Sequence, residues 1–407
     1  MEKAEVYLGR SKSSPVNLLL RRAKVMSPDD PFFRIIPLAI GRLKSLRVEG
    51  MADNLHDIAA HLSHPVPLLE RLSVSGGDYH PTGRNPILPL TLFNEDLSSL
   101  RELSLDRVRT KLPWRNMVNL TSFTLSGTLS VSMRQLLDFF EGAPHLREVG
   151  LFFATPAYSS KNGRLVSLAC LRRIIINGGP PPVLLGHLLI PVGAELVTHV
   201  QRLGPFAEDH LPKSFDNLRN LSDFTTIRLC GGSNPYVQLS GPNGRVKMIS
   251  TIPRIDEIHA LLESLNKFDT SKTEQLEIDR GVLLSSDPLY RALLPMKDLR
   301  TLVLSRCPIP RILIDALNPG MNPSGVLVCP KLEEIVIKHT EAFDIEDVTG
   351  TAAERASRGA KLKLLRIVGQ DKSLEIDMPG LGKHALQMEC IPQVDGTNDS
   401  DGGNKNS

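Results

Sequence analysis

The sequence predicts an α/β fold: an irregular solenoid in which a curved parallel sheet is returned by helices, with one β-hairpin inserted mid-array. Three observations predict it. A short apolar pattern recurs along most of the 407 residues. Its copies are spaced by about one strand plus one helical return, and the segments between them carry helix-start and helical-stripe signals.

The pattern is Leu-x-x-Ω-x-Ω, with Ω a large apolar residue. It reads Leu43-Lys-Ser-Leu46-Arg-Val48, Leu69-Glu-Arg-Leu72-Ser-Val74, Leu100-Arg-Glu-Leu103-Ser-Leu105 and Leu120-Thr-Ser-Phe123-Thr-Leu125. It continues at Leu146, Leu171, Leu299 and Leu332, with poorer copies at Phe224, Thr273 and Leu362. With 63 leucines in the chain, the bare pattern is expected roughly six times by chance, and about once if the first two intervening residues must be polar. Eight such copies occur. Starts at 43, 69, 100, 120, 146 and 171 lie 20 to 31 residues apart, and those at 273, 299, 332 and 362 lie 26 to 33 apart. The gaps 171 to 224 and 224 to 273 are each close to two periods, as if one unit in each were degenerate.

In a strand the two Ω residues share one face, and one short strand cannot bury that face alone. Parallel stacking of strands, each followed by a helical return, makes a continuous core. The elements follow in order. Residues 1–39 read as a lead-in in which Val16–Leu20 caps the open edge of the first repeat, and 40–390 as the repeat array. Asp53 caps a helix carrying Leu55, Ile58 and Leu62. Ser132-Met-Arg-Gln135 is a capping box, followed by Leu136, Leu137, Phe139 and Phe140, with Gly142 and Pro144 as stop signals. Residues 234–251 alternate Val237, Leu239, Val246 and Met248 about Gly241-Pro242-Asn243-Gly244, which predicts the hairpin. Ile255, Ile258, Leu261, Leu262 and Leu265 form a helical stripe, and 391–407 reads as a disordered tail of Asp, Gly, Asn and Ser.

Composition excludes several classes. The chain is 41% hydrophobic and 23% charged, as in a folded soluble protein, and its charge of 48 − 45 = +3 disfavours a dedicated nucleic-acid or membrane binder. One tryptophan and five tyrosines leave little for stacking on bases. The terminus lacks a secretory signal, and the apolar stretch 180–200 is broken by Pro191, Gly193, Glu195 and two histidines, so it reads as no membrane span. Cys170, Cys230, Cys307, Cys329 and Cys390 are single and odd in number, which points to reduced thiols in the cytoplasm or nucleus.

This pattern, over roughly residues 40–370, resembles the leucine-rich repeat family. Leu299-x-x-Leu302-x-Leu304-x-x-Cys307-x-Ile309 completes the longer family pattern, where the Asn or Cys satisfies backbone groups in the turn after the strand. Elsewhere that site is Met51, Val108, Gly179 or Gly232, hence an irregular array. The repeat type, the Leu-Arg-x-Leu strand starts and the mid-array hairpin look like the C-terminal half of fungal F-box/leucine-rich-repeat proteins. That resemblance implies substrate recognition for a cullin-type ubiquitin ligase. The F-box motif Leu-Pro-x-Glu is missing: Leu88-Pro89, Leu112-Pro113, Leu211-Pro212 and Leu294-Pro295 all lack the acidic residue. No adaptor-binding residue is therefore assigned.

Phosphate-loop, dinucleotide-binding, metalloprotease and nucleophile-elbow motifs do not occur in the sequence. Gly76-Gly77, Gly178-Gly179 and Gly231-Gly232 each follow a repeat strand and read as turns. His56, His61 and His64 lack the geometry and further ligand of a metal site, so no cofactor, metal or catalytic residue is expected. What remains is a surface. The residues beside and between the core positions face the concave side, and Arg47, Glu49, Arg71, Glu102, Asp106, Glu148, Phe152, Arg173, Asn177 and Arg228 are the candidate partner-binding set. An extended, mixed surface of this kind suits a protein or peptide. The expected function is a non-enzymatic protein–protein interaction scaffold. The alternative is a regulator that binds nucleic acid or another acidic ligand through its basic N-terminus, where Lys3, Arg10, Lys12, Arg21, Arg22 and Lys24 outweigh Glu2 and Glu5.

Overall fold

A computed structural model describes residues 2–22, 32–50, 62, 64–76, 87–88, 93, 97–110, 117–127, 131–152, 164–178, 181–200, 217–232, 235–250, 262–263, 265–280, 286–307, 310–321, 325–338, 345–368 and 387–390. The expected helix after Asp53, residues Ile255, Ile258 and Leu261, the histidines His56 and His61, and the tail 391–407 lie outside them.

The strands are β1 (Val16–Arg22), β2 (Leu43–Gly50), β3 (Arg71–Ser75), β4 (Ile87–Leu88), β5 (Glu102–Asp106), β6 (Arg109–Thr110), β7 (Ser122–Ser126), β8 (Glu148–Phe152), β9 (Val166–Ser167), β10 (Arg173–Asn177), β11 (Leu188–Leu189) and β12 (Glu195–Val200). They continue as β13 (Thr226–Cys230), β14 (Tyr236–Gly241), β15 (Gly244–Ser250), β16 (Gln275–Asp279), β17 (Thr301–Ser305), β18 (Glu334–Lys338), β19 (Leu364–Val368) and β20 (Gln387–Cys390). The helices are α1 (Glu2–Arg10), α2 (Phe32–Ala39), α3 (Met133–Gly142), α4 (Pro181–Leu185), α5 (Asp287–Leu293), α6 (Pro310–Leu317) and α7 (Ile345–Ser357). None of these helices is long and apolar enough to cross a membrane.

The chain divides into two compact units, Met1–Arg202 with Phe206–Ser222 and Asn243–Ile249, and Leu203–Pro205 with Asp223–Pro242 and Ser250–Ser407. Each is α/β with a mostly parallel sheet. In the first unit β1, β2, β3, β5, β7, β8, β10 and β12 lie side by side in that order, every pair parallel. In the second, β13 pairs antiparallel with β14 and in parallel with β16, and β16 through β20 follow in parallel.

The repeat chemistry accounts for this order. Residues Leu46, Leu72, Leu103, Phe123, Val149, Ile174 and Leu196 are in register on successive strands, and all are buried. Burying each such side chain contributes roughly 1.5–3 kcal/mol before the entropy of ordering it. The first leucine of each copy closes a tight turn onto a second buried apolar residue three positions earlier. Leu69 N bonds Val66 O at 2.9 Å, Leu100 N bonds Leu97 O at 3.0 Å, Leu120 N bonds Met117 O at 3.0 Å, and Leu332 N bonds Cys329 O at 3.0 Å. The ladder then starts from one shared carbonyl, as where Glu70 O accepts from Arg101 N at 2.8 Å and Glu102 N at 2.9 Å. Beyond β5, β7, β10, β16 and β17 the chain leaves through a left-handed residue. Glycine suits that conformation at Gly127 and Gly178 (φ 63° and 77°), but Arg107, Arg280 and Arg306 adopt it at φ 53°, 53° and 52°.

The returns pack as their sequences dictate. The Ser132 hydroxyl accepts from Gln135 N at 3.2 Å while Gln135 Oε1 accepts from Ser132 N at 2.9 Å, the expected capping box, worth about 1 kcal/mol. It sets α3 so that Phe139 stacks on Phe123 of β7, ring centroids 4.2 Å apart. Cys307, the residue completing the longer pattern, is buried with Sγ 3.5 Å from the carbonyls of Ile278 and Ser305. Val108 fills the corresponding site after β5 with a buried apolar side chain instead. The degenerate unit between 171 and 224 contains β12, where Leu196 and Thr198 are buried, as is Ala194 just before it. The two strands expected around Pro242-Asn243 are present as β14 and β15, and Leu262 and Leu265 of the later stripe are buried.

Candidate interaction surface

Strand alternation places the candidate residues on the face opposite the core. In the first unit they form three rows. The row at the strand starts reads Ser45, Arg71, Glu102, Ser122, Glu148, Arg173 and Glu195, the middle row Arg47, Ser73, Ser104, Thr124, Gly150, Ile175 and Val197, and the last row Glu49, Ser75, Asp106, Ser126, Phe152, Asn177 and His199. Nine of the ten candidates therefore share one sheet face, and Arg47, Arg71, Glu102, Glu148 and Arg173 are exposed. Arg228 lies on the matching face of the second unit, 3.4 Å from Glu277.

The charges are partly internal. Arg47 and Arg21 both reach Glu49, at 2.6 and 3.0 Å, and Glu195 accepts from Arg173 at 3.0 Å and stands 3.8 Å from Arg245. Asp106 accepts from the Ser75 hydroxyl at 2.9 Å and Arg107 Nε at 3.2 Å. Exposed pairs of this kind contribute about 0–1 kcal/mol each, so their use is to orient side chains rather than to hold the fold. Between them, β3, β5 and β7 offer a strip of small hydroxyls, Ser73, Ser75, Ser104, Ser122, Thr124 and Ser126, over which another chain can approach closely. Beside the strip the surface turns apolar. Phe152 folds over Gly150, where an added Cβ would lie 2.8 Å from the ring, and Val197 is already 97% covered, since only 3% of it is accessible.

Glu195, Val197 and His199 occupy outward positions that the repeat pattern misses, because Gly193 stands where the leading leucine belongs and Thr198 replaces the second core residue of that copy. The register of Arg173 against Glu195 recovers them. Burial, and then the charge of Lys247, lowers the His199 pKa below its ordinary value.

A second cluster, on the face of the second unit, is also not apparent from the pattern. Arg306 donates from Nε to Asp279 Oδ1 at 2.8 Å and from Nη2 to Oδ2 at 2.5 Å, and Cys230 Sγ lies 3.6 Å from Oδ2. Burial pushes the Asp279 carboxyl up, but the hydrogen bonds and charge of Arg306 outweigh it and hold the group below the usual carboxylate range. Burial and the same carboxylate push the Cys230 thiol up. Because the folded carboxyl titrates lower than the unfolded one, its contribution is complete above about pH 4 and is lost as pH falls through the folded value. Asp279→Asn is expected to cost about 1–2 kcal/mol at pH 6, kept modest because the Arg306 side chain is 43% exposed. In urea melts that difference should shrink as pH drops below about 4; an equal gap at pH 3 and pH 6 would refute the ion-pair assignment.

Among the described residues no group of three His, Cys, Asp or Glu side chains converges as metal ligands would. No protein-family model matches the chain, and no curated protein matches it.

Proposed function

We propose that this chain is an irregular leucine-rich-repeat solenoid that works as a non-enzymatic protein-binding scaffold, its partner seated on the outward face of the parallel strands. The supporting observation is the register. Short strands held in step bring the same outward position from β2 to β12 side by side, so that residues as far apart in sequence as Arg47 and Arg173 lie on one accessible surface. Such a face has the extent of a macromolecular interface, on which a few anchors dominate affinity. Phe152 and Ile175 supply apolar anchors beside the hydroxyl strip, and Arg71, Glu102 and Glu148 supply charge around it. In the F-box/leucine-rich-repeat proteins that the sequence resembles, repeats of this kind capture a substrate, and we carry that role to this face.

Quantitative capture from cell extract tests the reading. The intact chain should recover defined proteins, and Arg47→Glu, Arg71→Glu and Glu102→Arg together should abolish their recovery, while reversal of Lys331, which pairs with Asp298 away from the face, should not. Unchanged recovery by the triple variant would remove the face from consideration.

A further inference from the structure

The first unit has a second polar surface, distinct from the strand face. At the entry edge of the sheet one residue per strand precedes the ladder: Lys44, Glu70, Arg101, Thr121, Arg147 and Arg172, joined in sequence by backbone bonds such as Thr121 N to Arg101 O, Arg147 N to Thr121 O and Arg172 N to Arg147 O, each 2.8 Å. These bonds place the residues in a row at the strand spacing of about 4.8 Å. Arg101, Arg147 and Arg172 are exposed, and among the described residues none of the three forms an ion pair. The row's acidic member, Glu70, is 3.5 Å from Lys44. Glu102 and Glu148 follow two of the arginines in sequence but stand in the strands, on the outward face.

An open groove of about 320 Å³ runs along the same edge, walled by Pro15, Pro67 and Leu68 and bordered by Lys44, Glu70 and Arg101. Leu68 and Val118, on the turns before β3 and β7 that flank the one before β5, are 46% and 47% exposed. The turns themselves are pinned: the Ser99 hydroxyl donates to Pro67 O at 2.6 Å, and Asn119 Nδ2 donates to Ser98 O at 2.7 Å. The edge is thus a preformed ledge whose three arginines form no ion pair among the described residues.

We infer that this edge docks an extended acidic segment of a polypeptide. From Arg101 to Arg172 there are three strand spacings, about 14 Å, which an extended chain covers in about four residues. Carboxylates spaced along such a chain then reach the three guanidiniums, each suited to donate two parallel hydrogen bonds to a carboxylate. The groove beside Pro67 and Leu68 takes the next side chain along the segment. The site is separate from the strand face and does not depend on it.

The test uses the intact chain and a fluorescein-labelled decaglutamate peptide, read by anisotropy at low salt, with decalysine and a 20-nucleotide single-stranded DNA as parallel probes. Decaglutamate should bind and decalysine should not. Arg101→Glu, Arg147→Glu and Arg172→Glu together should weaken binding at least tenfold, about 1.4 kcal/mol. Ser104→Tyr, which fills the middle of the strand face without altering charge, should change it less than twofold. Should the triple variant fail to fold by circular dichroism, Arg147→Glu alone is expected to weaken binding about threefold. Undiminished binding in the variant that folds overturns the inference, as does equal loss with Ser104→Tyr. Tighter binding of the DNA than of decaglutamate through the same arginines also overturns it, in favour of a nucleic-acid ligand.

Discussion

Arg355→Leu should cost about 2–4 kcal/mol, the range for leaving buried carbonyls without their donors. Arg355 stands in α7 on the same stripe as Val348 and Ala352, with no accessible surface. Its guanidinium donates to Val328 O at 2.9 Å, Cys329 O at 2.7 Å and Leu317 O at 3.4 Å. Leu317 is the last residue of α6, so the cation meets the negative end of that helix, while the other two carbonyls belong to the turn that launches β18. Burial lowers the pKa of Arg355. Burial also pushes the neighbouring Cys329 thiol up to about 12, so it supplies no counter-ion, and the charge is held by carbonyl dipoles. Leucine fills part of the space but leaves the Leu317 and Val328 carbonyls without the Arg355 donor and Cys329 O with only the Leu332 amide, where water served all three in the unfolded chain. Urea unfolding followed by circular dichroism measures the loss. A cost under about 1 kcal/mol would mean that water replaces the guanidinium and that the clamp is not structural.

Gly241→Ala should cost about 3 kcal/mol, for a different reason. Its backbone is not in the left-handed region, so the difficulty is space. A Cβ there would be driven into the Asp223 carbonyl oxygen and would lie 3.1 Å from Phe224 Cα. Both obstacles are backbone, and the backbone is anchored. Thr225 N bonds Ser240 O at 3.0 Å one step along the β13–β14 pair, and Phe224 is buried edge-on against Phe268 at 5.7 Å. Relief requires moving β14 away from β13. Gly350 in α7 provides the contrast, because an added Cβ meets nothing within 4 Å. Gly350→Ala is expected to stabilise by about 0.5–1 kcal/mol, since alanine loses less backbone entropy in a helix. Equal melting behaviour of the two variants would show that the close approach at Gly241 is not built into the fold.

How much of this was legible beforehand differs by element. The parallel pairing of β2, β3, β5, β7, β8 and β10 follows from Leu-x-x-Ω-x-Ω itself, because two apolar side chains on one face of a short strand demand identical neighbours. The Ser132 capping box was equally legible, since all its partners lie within three residues. The turn residues Val66, Leu97 and Met117 were available as an apolar position three before each leucine, a signal weaker than the strand because the two residues between vary from Pro67-Leu68 to Ser98-Ser99 to Val118-Asn119. Strand β12 was obscured by Gly193, where the leading leucine belongs, and by Thr198, which fills a core position that local sequence does not mark as apolar.

The order of residues along the chain thus determined which side chains face the core, which face outward and where each return begins, because strand alternation and helix capping act over two to four positions. Tertiary structure alone decided that Arg306 closes on Asp279 across 27 residues, that Arg355 bonds carbonyls 26 to 38 residues away, and that three arginines from separate repeats share one edge. Those outcomes depend on the register between strands, and that register is set by many apolar contacts at once rather than by any residue involved.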